Sequence, residues 1–201
     1  MGEAGVADSI RLMENNERVM LEEKYDNFLE LVDDLKDETP GTIIFDVDFV
    51  IRNPVESLKK FRFGEIPESS LESLKKIKET GWKILFVTNQ PKEGHQIAKI
   101  QSERLGYKAF PWALTEIFGD DAVIGGGADF LPKLTKSRAE TEDKTVSWIM
   151  ENGAGRFAMV SDQIRDLDFF QRVTRKIMVS SKGENDNEKA IFYKIPGPPI
   201  G

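Results

Sequence analysis

Cysteine is absent from the 201-residue chain, which excludes disulfides, thiolate metal sites and a cysteine nucleophile. Histidine is nearly absent too. The single His95 falls in a helical stretch and reads as a surface residue, so histidine-based metal or acid–base chemistry has little to work with. No run approaches the roughly 20 apolar residues of a membrane span, and no membrane partner is expected. The first residues lack the basic and apolar regions of a secretory signal, so the expected location is cytoplasmic. A basic surplus is also missing: the net charge is −7, which argues against general nucleic-acid binding.

The acidity is concentrated. Residues 1 to 38 hold 12 acidic and 4 basic side chains, so the remainder of the chain is close to neutral. This first stretch reads as an acidic helical extension, with helix expected over 8 to 37, as one helix or as two broken at Asn15-Asn16. Leu21, Tyr25, Phe28, Val32 and Leu35 recur at alternating spacings of 4 and 3 and form one apolar stripe. That stripe admits three uses: packing on the main domain, a homo-oligomer seam, or a cover over a site. Thr39-Pro40-Gly41 ends the helix and reads as a hinge.

Residues 39 to 201 then alternate apolar runs with amphipathic stretches. The run Thr42-Ile43-Ile44-Phe45 suits a strand buried on both faces of a parallel sheet, and it stops at Asp46-Val47-Asp48. Residues 52 to 66 form a flap too short for a folded cap. Helix is expected over Pro67 to Thr80, strand over Trp82 to Val87, helix over Lys92 to Leu105, and a short helix over Pro111 to Phe118. Ala122-Val123-Ile124 reads as a third strand, running into the turn Gly125-Gly126-Gly127. Helix follows over Glu142 to Asn152, strand over Phe157 to Val160, a short helix through Phe169-Phe170, and a fifth strand over Lys176 to Val179. Ala190 to Tyr193 reads as an extra edge strand. The fold class is therefore α/β: a three-layer, Rossmann-like parallel sheet flanked by helices, with an N-terminal helical extension.

In such a sheet the carboxyl ends of the strands share one edge. Asp46 and Asp48, Thr88 and Asn89, and Asp162 and Asp166 all stand at such ends, with Lys133 and Lys136 ahead of the fourth strand. Buried carboxylates require a partner or a cation, and an all-oxygen set suits magnesium rather than zinc. Acids, a hydroxyl and a lysine together supply what phosphoryl transfer needs.

These residues resemble the motifs of the haloacid dehalogenase-like (HAD) hydrolase superfamily over residues 42 to about 180. Asp46, Asp48 and Val50 match its Asp-x-Asp-x-Thr/Val motif. Thr88 matches the hydroxyl that closes the next strand. Lys136, standing 26 residues before Asp162, matches its lysine, with Lys133 as competitor. Asp162 and Asp166 match its paired acids. The chain departs from the pattern at Phe49, where the family usually has glycine, and it lacks a proline after the lysine.

The resemblance implies a capless or minimally capped, magnesium-dependent phosphatase. It implies Asp46 as nucleophile through an aspartyl-phosphate and Asp48 as acid–base. Thr88, Asn89 and Lys136 would hold phosphate. Asp46, Asp48 (by its main-chain carbonyl) and Asp162 would hold Mg2+, with Asp166 orienting the lysine or a metal-bound water. The expected partner is a phosphorylated small molecule or macromolecule. Two other readings stay open: a weak or inactive binding module with Phe49 crowding the site, and a phosphotransferase.

Overall fold

The computed structural model describes residues 19–88, 92–125, 134–180 and 190–196, apart from the side chains of 92–96, 134–138 and 178–180. Six strands form one all-parallel sheet. In chain order they are β1 (Val19–Glu22), β2 (Thr42–Asp46), β3 (Lys83–Thr88), β4 (Val123–Gly125), β5 (Phe157–Ser161) and β6 (Ala190–Lys194). Their spatial order is β1-β6-β5-β2-β3-β4. The helices are α1 (Phe28–Leu35), α2 (Pro54–Lys59), α3 (Glu68–Glu79), α4 (Lys92–Leu105), α5 (Trp112–Phe118), α6 (Leu134–Asn152) and α7 (Asp166–Ser180).

The alternation of side chains along each strand separates two cores. Ile43 and Phe45 of β2, Ile84 and Phe86 of β3, and Val160 of β5 face a core shared with α1, α3 and α5. Ile44, Leu85, Val87 and Met159 face the opposite core with Ile149 of α6 and Leu167, Phe170, Val173 and Ile177 of α7. Covering both faces explains why the central strands are continuous apolar runs. The expected three-layer α/β architecture is present.

Three expectations about strands change. Val19–Glu22 is a strand, where helix is expected over 8 to 37; residues 1–18 lie outside the described residues. Its main-chain groups pair with β6, and that ladder outweighs the helical spacing of its side chains. Downstream, α1 carries the last three residues of the predicted stripe, while Leu21 is on β1 and Tyr25 precedes the helix. Asn27 caps it by accepting the Glu30 N–H at 3.1 Å, and Phe28, Leu31, Val32 and Leu35 are buried in the main core.

Second, Lys176–Val179 belongs to the last turns of α7 rather than to a fifth strand. Leu167, Phe170, Val173, Thr174 and Ile177 are all buried at helical spacing, and this outweighs the local β-branched run. Third, β6 is not an edge strand, because β1 pairs along its outer side.

Thr39-Pro40-Gly41 is also no loose hinge at its end. Gly41 is buried, its carbonyl accepts the Lys83 N–H at 2.9 Å, and the next N–H, of Thr42, donates to the Arg156 carbonyl at 2.8 Å. A Cβ at Gly41 would lie 2.4 Å from that Arg156 oxygen. Gly41→Ala is therefore expected to cost about 1–3 kcal/mol, the range for overpacking, in a urea titration. A variant as stable as the parent would show that this approach relaxes freely.

Candidate functional site

The chain leaves β2 toward β3 and β4 on one side and returns through β5 to β6 on the other. The neighbouring strands β2 and β5 therefore bound the point where the strand order reverses, the usual ligand crevice of an open parallel sheet. Asp46 is the last residue of β2. Its register partner on β3 is Val87, so Thr88 stands one residue further toward the rim. On the other side Phe45 pairs with Val160, which puts Ser161 beside Asp46 and Asp162 just beyond. Adjacent strands lie about 4.8 Å apart, so residues distant in sequence meet here.

Asp46, Thr88 and Asp166 line a common cavity of about 150 Å³. Thr88 is buried, and Asp46 is largely so. Burial first, then the charges of Asp166, Asp48 and Asp162, push the Asp46 carboxyl up to about 8; the Val47 N–H, donating to its Oδ1 at 2.7 Å, opposes this. Asp162 is also raised, by burial and by Asp166, against the amide of Gln163, which donates to its Oδ2 at 2.5 Å. Asp166 accepts the Ser161 hydroxyl at 2.7 Å, and Ser161 Oγ accepts the Gln163 N–H at 3.1 Å. The two hydrogen bonds hold the turn between β5 and α7 against the strand end.

Asp48 is held differently. Its Oδ1 accepts from Arg52 Nε at 2.8 Å and Nη2 at 2.6 Å. Arg52 is buried, with its guanidinium 5.4 Å from the centre of the Phe110 ring. Between these two residues Phe49 adopts φ +63°, the left-handed conformation that glycine reaches without strain. Its N–H donates to the Arg52 carbonyl at 2.8 Å, closing a tight turn. The Phe49 side chain does not line the Asp46 cavity. It lines a separate groove with Asn27, Phe28, Ile51 and Ile195.

Lys136 lies in the first turn of α6, but its side chain is outside the described residues, as are Lys133 and Asn89. Three arginines were not among the expected site residues. Arg52 fixes Asp48; Arg165 and Arg172 line the cavity, with Arg172 also bonded to Glu142 at 2.8 Å. Arg165 sits inside the Asp162–Asp166 motif and Arg52 lies four residues after Asp48, so proximity in sequence was the available signal.

The donors are all oxygens, and the accumulated negative charge around Asp46 asks for a cation, which fits magnesium. Among the described residues no group of three or more acidic or histidine side chains gathers closely enough to hold a metal by itself. The expected set is leaner: the Asp46 and Asp162 carboxylates with the Asp48 carbonyl. Magnesium commonly uses one or two carboxylates and fills its other positions with water and phosphate. The chain matches no protein-family model, no curated protein and no solved structure.

The buried acid has a consequence for stability. In the unfolded chain Asp46 titrates near 4, but in the fold at about 8. Between those values the native state holds a proton that the unfolded state lacks, so stability falls as pH rises through this window. In metal-free protein Asp46→Asn removes the penalty. Its Tm advantage over the parent should be near zero at pH 4, grow toward pH 8 and then level off, each kcal/mol appearing as about 2–4 °C. A Tm difference independent of pH would refute the burial argument.

Proposed function

We propose that the chain is a magnesium-dependent phosphatase that hydrolyses a phosphomonoester through an aspartyl-phosphate on Asp46. The observation that carries the reading is the meeting of Asp46, Thr88 and Asp166 in one cavity at the reversal point of the sheet, with burial and the charges of Asp166, Asp48 and Asp162 raising the Asp46 carboxyl. Perturbed carboxylates of this kind in a cleft mark functional sites. The order of the motifs, resembling the HAD superfamily, supports the same chemistry.

On this reading a carboxylate oxygen of Asp46 attacks phosphorus and the bond to the leaving alcohol oxygen breaks. Asp48 gives that oxygen a proton. Arg52 holds Oδ1 of Asp48, so Oδ2 would carry that proton. Asp48 then takes a proton from water, whose oxygen attacks the aspartyl-phosphate, releasing inorganic phosphate and restoring Asp46. The Thr88 hydroxyl donates to a phosphate oxygen, and Lys136 neutralises phosphoryl charge. Asp166, braced by Ser161, orients that lysine. The Asp46 and Asp162 carboxylates and the Asp48 carbonyl would hold Mg2+, which would supply positive charge that favours ionised Asp46 and offsets its repulsion from phosphate.

A second reading, a phosphate-binding module without turnover, is favoured by the Asp48–Arg52 pair, which ties down the residue assigned as the acid. p-Nitrophenyl phosphate separates the two. The phosphatase reading expects Mg2+-dependent release of inorganic phosphate, abolished by chelation and by Asp46→Asn. Thr88→Ala should lower kcat by about 10²-fold, as for loss of one oxyanion donor. Phosphate binding without turnover in the parent protein would instead support the binding module. Neither binding nor turnover would overturn both.

A further inference from the structure

We infer that the flap around α2 and the outer face of α4 form a surface that lies against an anionic lipid bilayer. Among the described residues nine large apolar side chains are exposed, and six of them lie in two short segments: Leu58, Phe61 and Phe63 in the flap, Ile97, Ile100 and Leu105 on α4. Isolated exposed apolar residues are ordinary, but such a concentration marks an interaction surface.

The two segments are joined in space. The Phe63 N–H donates to Gln101 Oε1 at 3.1 Å, and the Tyr107 hydroxyl donates to the Phe63 carbonyl at 2.9 Å. Gly64 comes so near α4 that a Cβ on it would lie 3.0 Å from the Ala98 methyl. Ile97 and Ile100, three residues apart on the helix, share one face. Phe61 is 71% exposed yet sits at φ +53°, a conformation costly for a bulky side chain. Burial within the chain does not repay that strain.

Charge selects the occupant. Leu58-Lys59-Lys60-Phe61-Arg62-Phe63 interleaves three bases with three apolar residues and contains no acid, in a chain of net charge −7. Lys59 and Arg62 make exposed ion pairs with Glu56 and Glu65, which cost little to exchange for lipid phosphates. Lys92, Lys99 and Arg104 add positive charge on α4, against Glu93 and Glu103. An acidic surface therefore complements this patch.

The apolar side chains protrude and line none of the described cavities. A fluid acyl layer accepts protruding side chains, whereas a folded partner must offer a pocket for each. Four of the six are aliphatic and give nucleic-acid bases nothing to stack on. No described helix is long and apolar enough to cross a membrane, and lying on a bilayer requires none. Both segments follow the carboxyl ends of neighbouring strands, β2 and β3, the ends at which Asp46 and Thr88 stand.

Vesicle co-sedimentation of the full chain tests the inference. Binding is expected to phosphatidylcholine vesicles containing phosphatidylserine, to weaken with salt, and to be far lower on phosphatidylcholine alone. Lys60→Glu should weaken it on the order of tenfold, and the pair Phe61→Ser with Ile100→Ser more strongly. Circular dichroism should be unchanged in each variant, because these side chains are exposed. The inference is overturned by absent binding to the anionic vesicles, or by binding that folded variants retain in full. It is equally overturned if the same substitutions abolish self-association or oligonucleotide binding while vesicles remain unbound.

Discussion

Asp46 is a carboxylate held in a partly buried, negatively charged position, and the local structure is organised around that cost. It ends a strand covered by helices on both faces and lines a cavity at the sheet edge, so its hydration is reduced. Asp166, Asp48 and Asp162 then add repulsion. A chain selected only for stability would not retain such an acid without a compensating partner. The surrounding hydrogen bonds hold the other acids in place. Ser161 fixes Asp166, Gln163 restrains Asp162, and the buried Arg52 grips Asp48. The repulsion is therefore built into the fold and cannot be relieved by side-chain rotation alone.

The sheet topology makes this concentration achievable. Strands β2 and β5 are adjacent, though more than a hundred residues separate them, and their connections leave in opposite directions. A reversal of this kind opens a crevice at the strand ends without breaking a ladder. The turn after β2 has a second consequence. It places Phe49 in a left-handed conformation, and Phe49 lines a groove shared with α1 rather than the Asp46 cavity. A bulky residue is accommodated there at the cost of backbone strain. The flap that follows, with α4 beside it, carries exposed apolar side chains.

Legibility followed burial. The central strands β2, β3 and β5 could be read because both faces are covered, which demands unbroken apolar runs. The helix α3 could be read from Leu71, Leu74 and Ile77, which recur on one face and are all buried. The four-residue β1 could not: its stripe also suits a helix, and only pairing with β6, 171 positions away at Val19 and Ala190, decides it. The end of α7 misled because Ile177-Met178-Val179 is locally β-favouring, while its burial pattern is set by packing on the sheet. In the site, Asp46, Thr88, Asp162 and Asp166 were legible as polar stops on apolar runs. Arg52, Arg165 and Arg172 were not, since surface and buried arginines look alike in one dimension.

The central strands, the parallel sheet and the acids at its rim were determined by the sequence, because burial and hydrogen-bonding demands act locally enough to leave periodic traces. Which acid bears the raised pKa, which arginine restrains Asp48, and which strand lies outside β6 were decided only by tertiary structure. Those outcomes depend on distances between segments that have no neighbourhood in the chain, where charge and desolvation act through space.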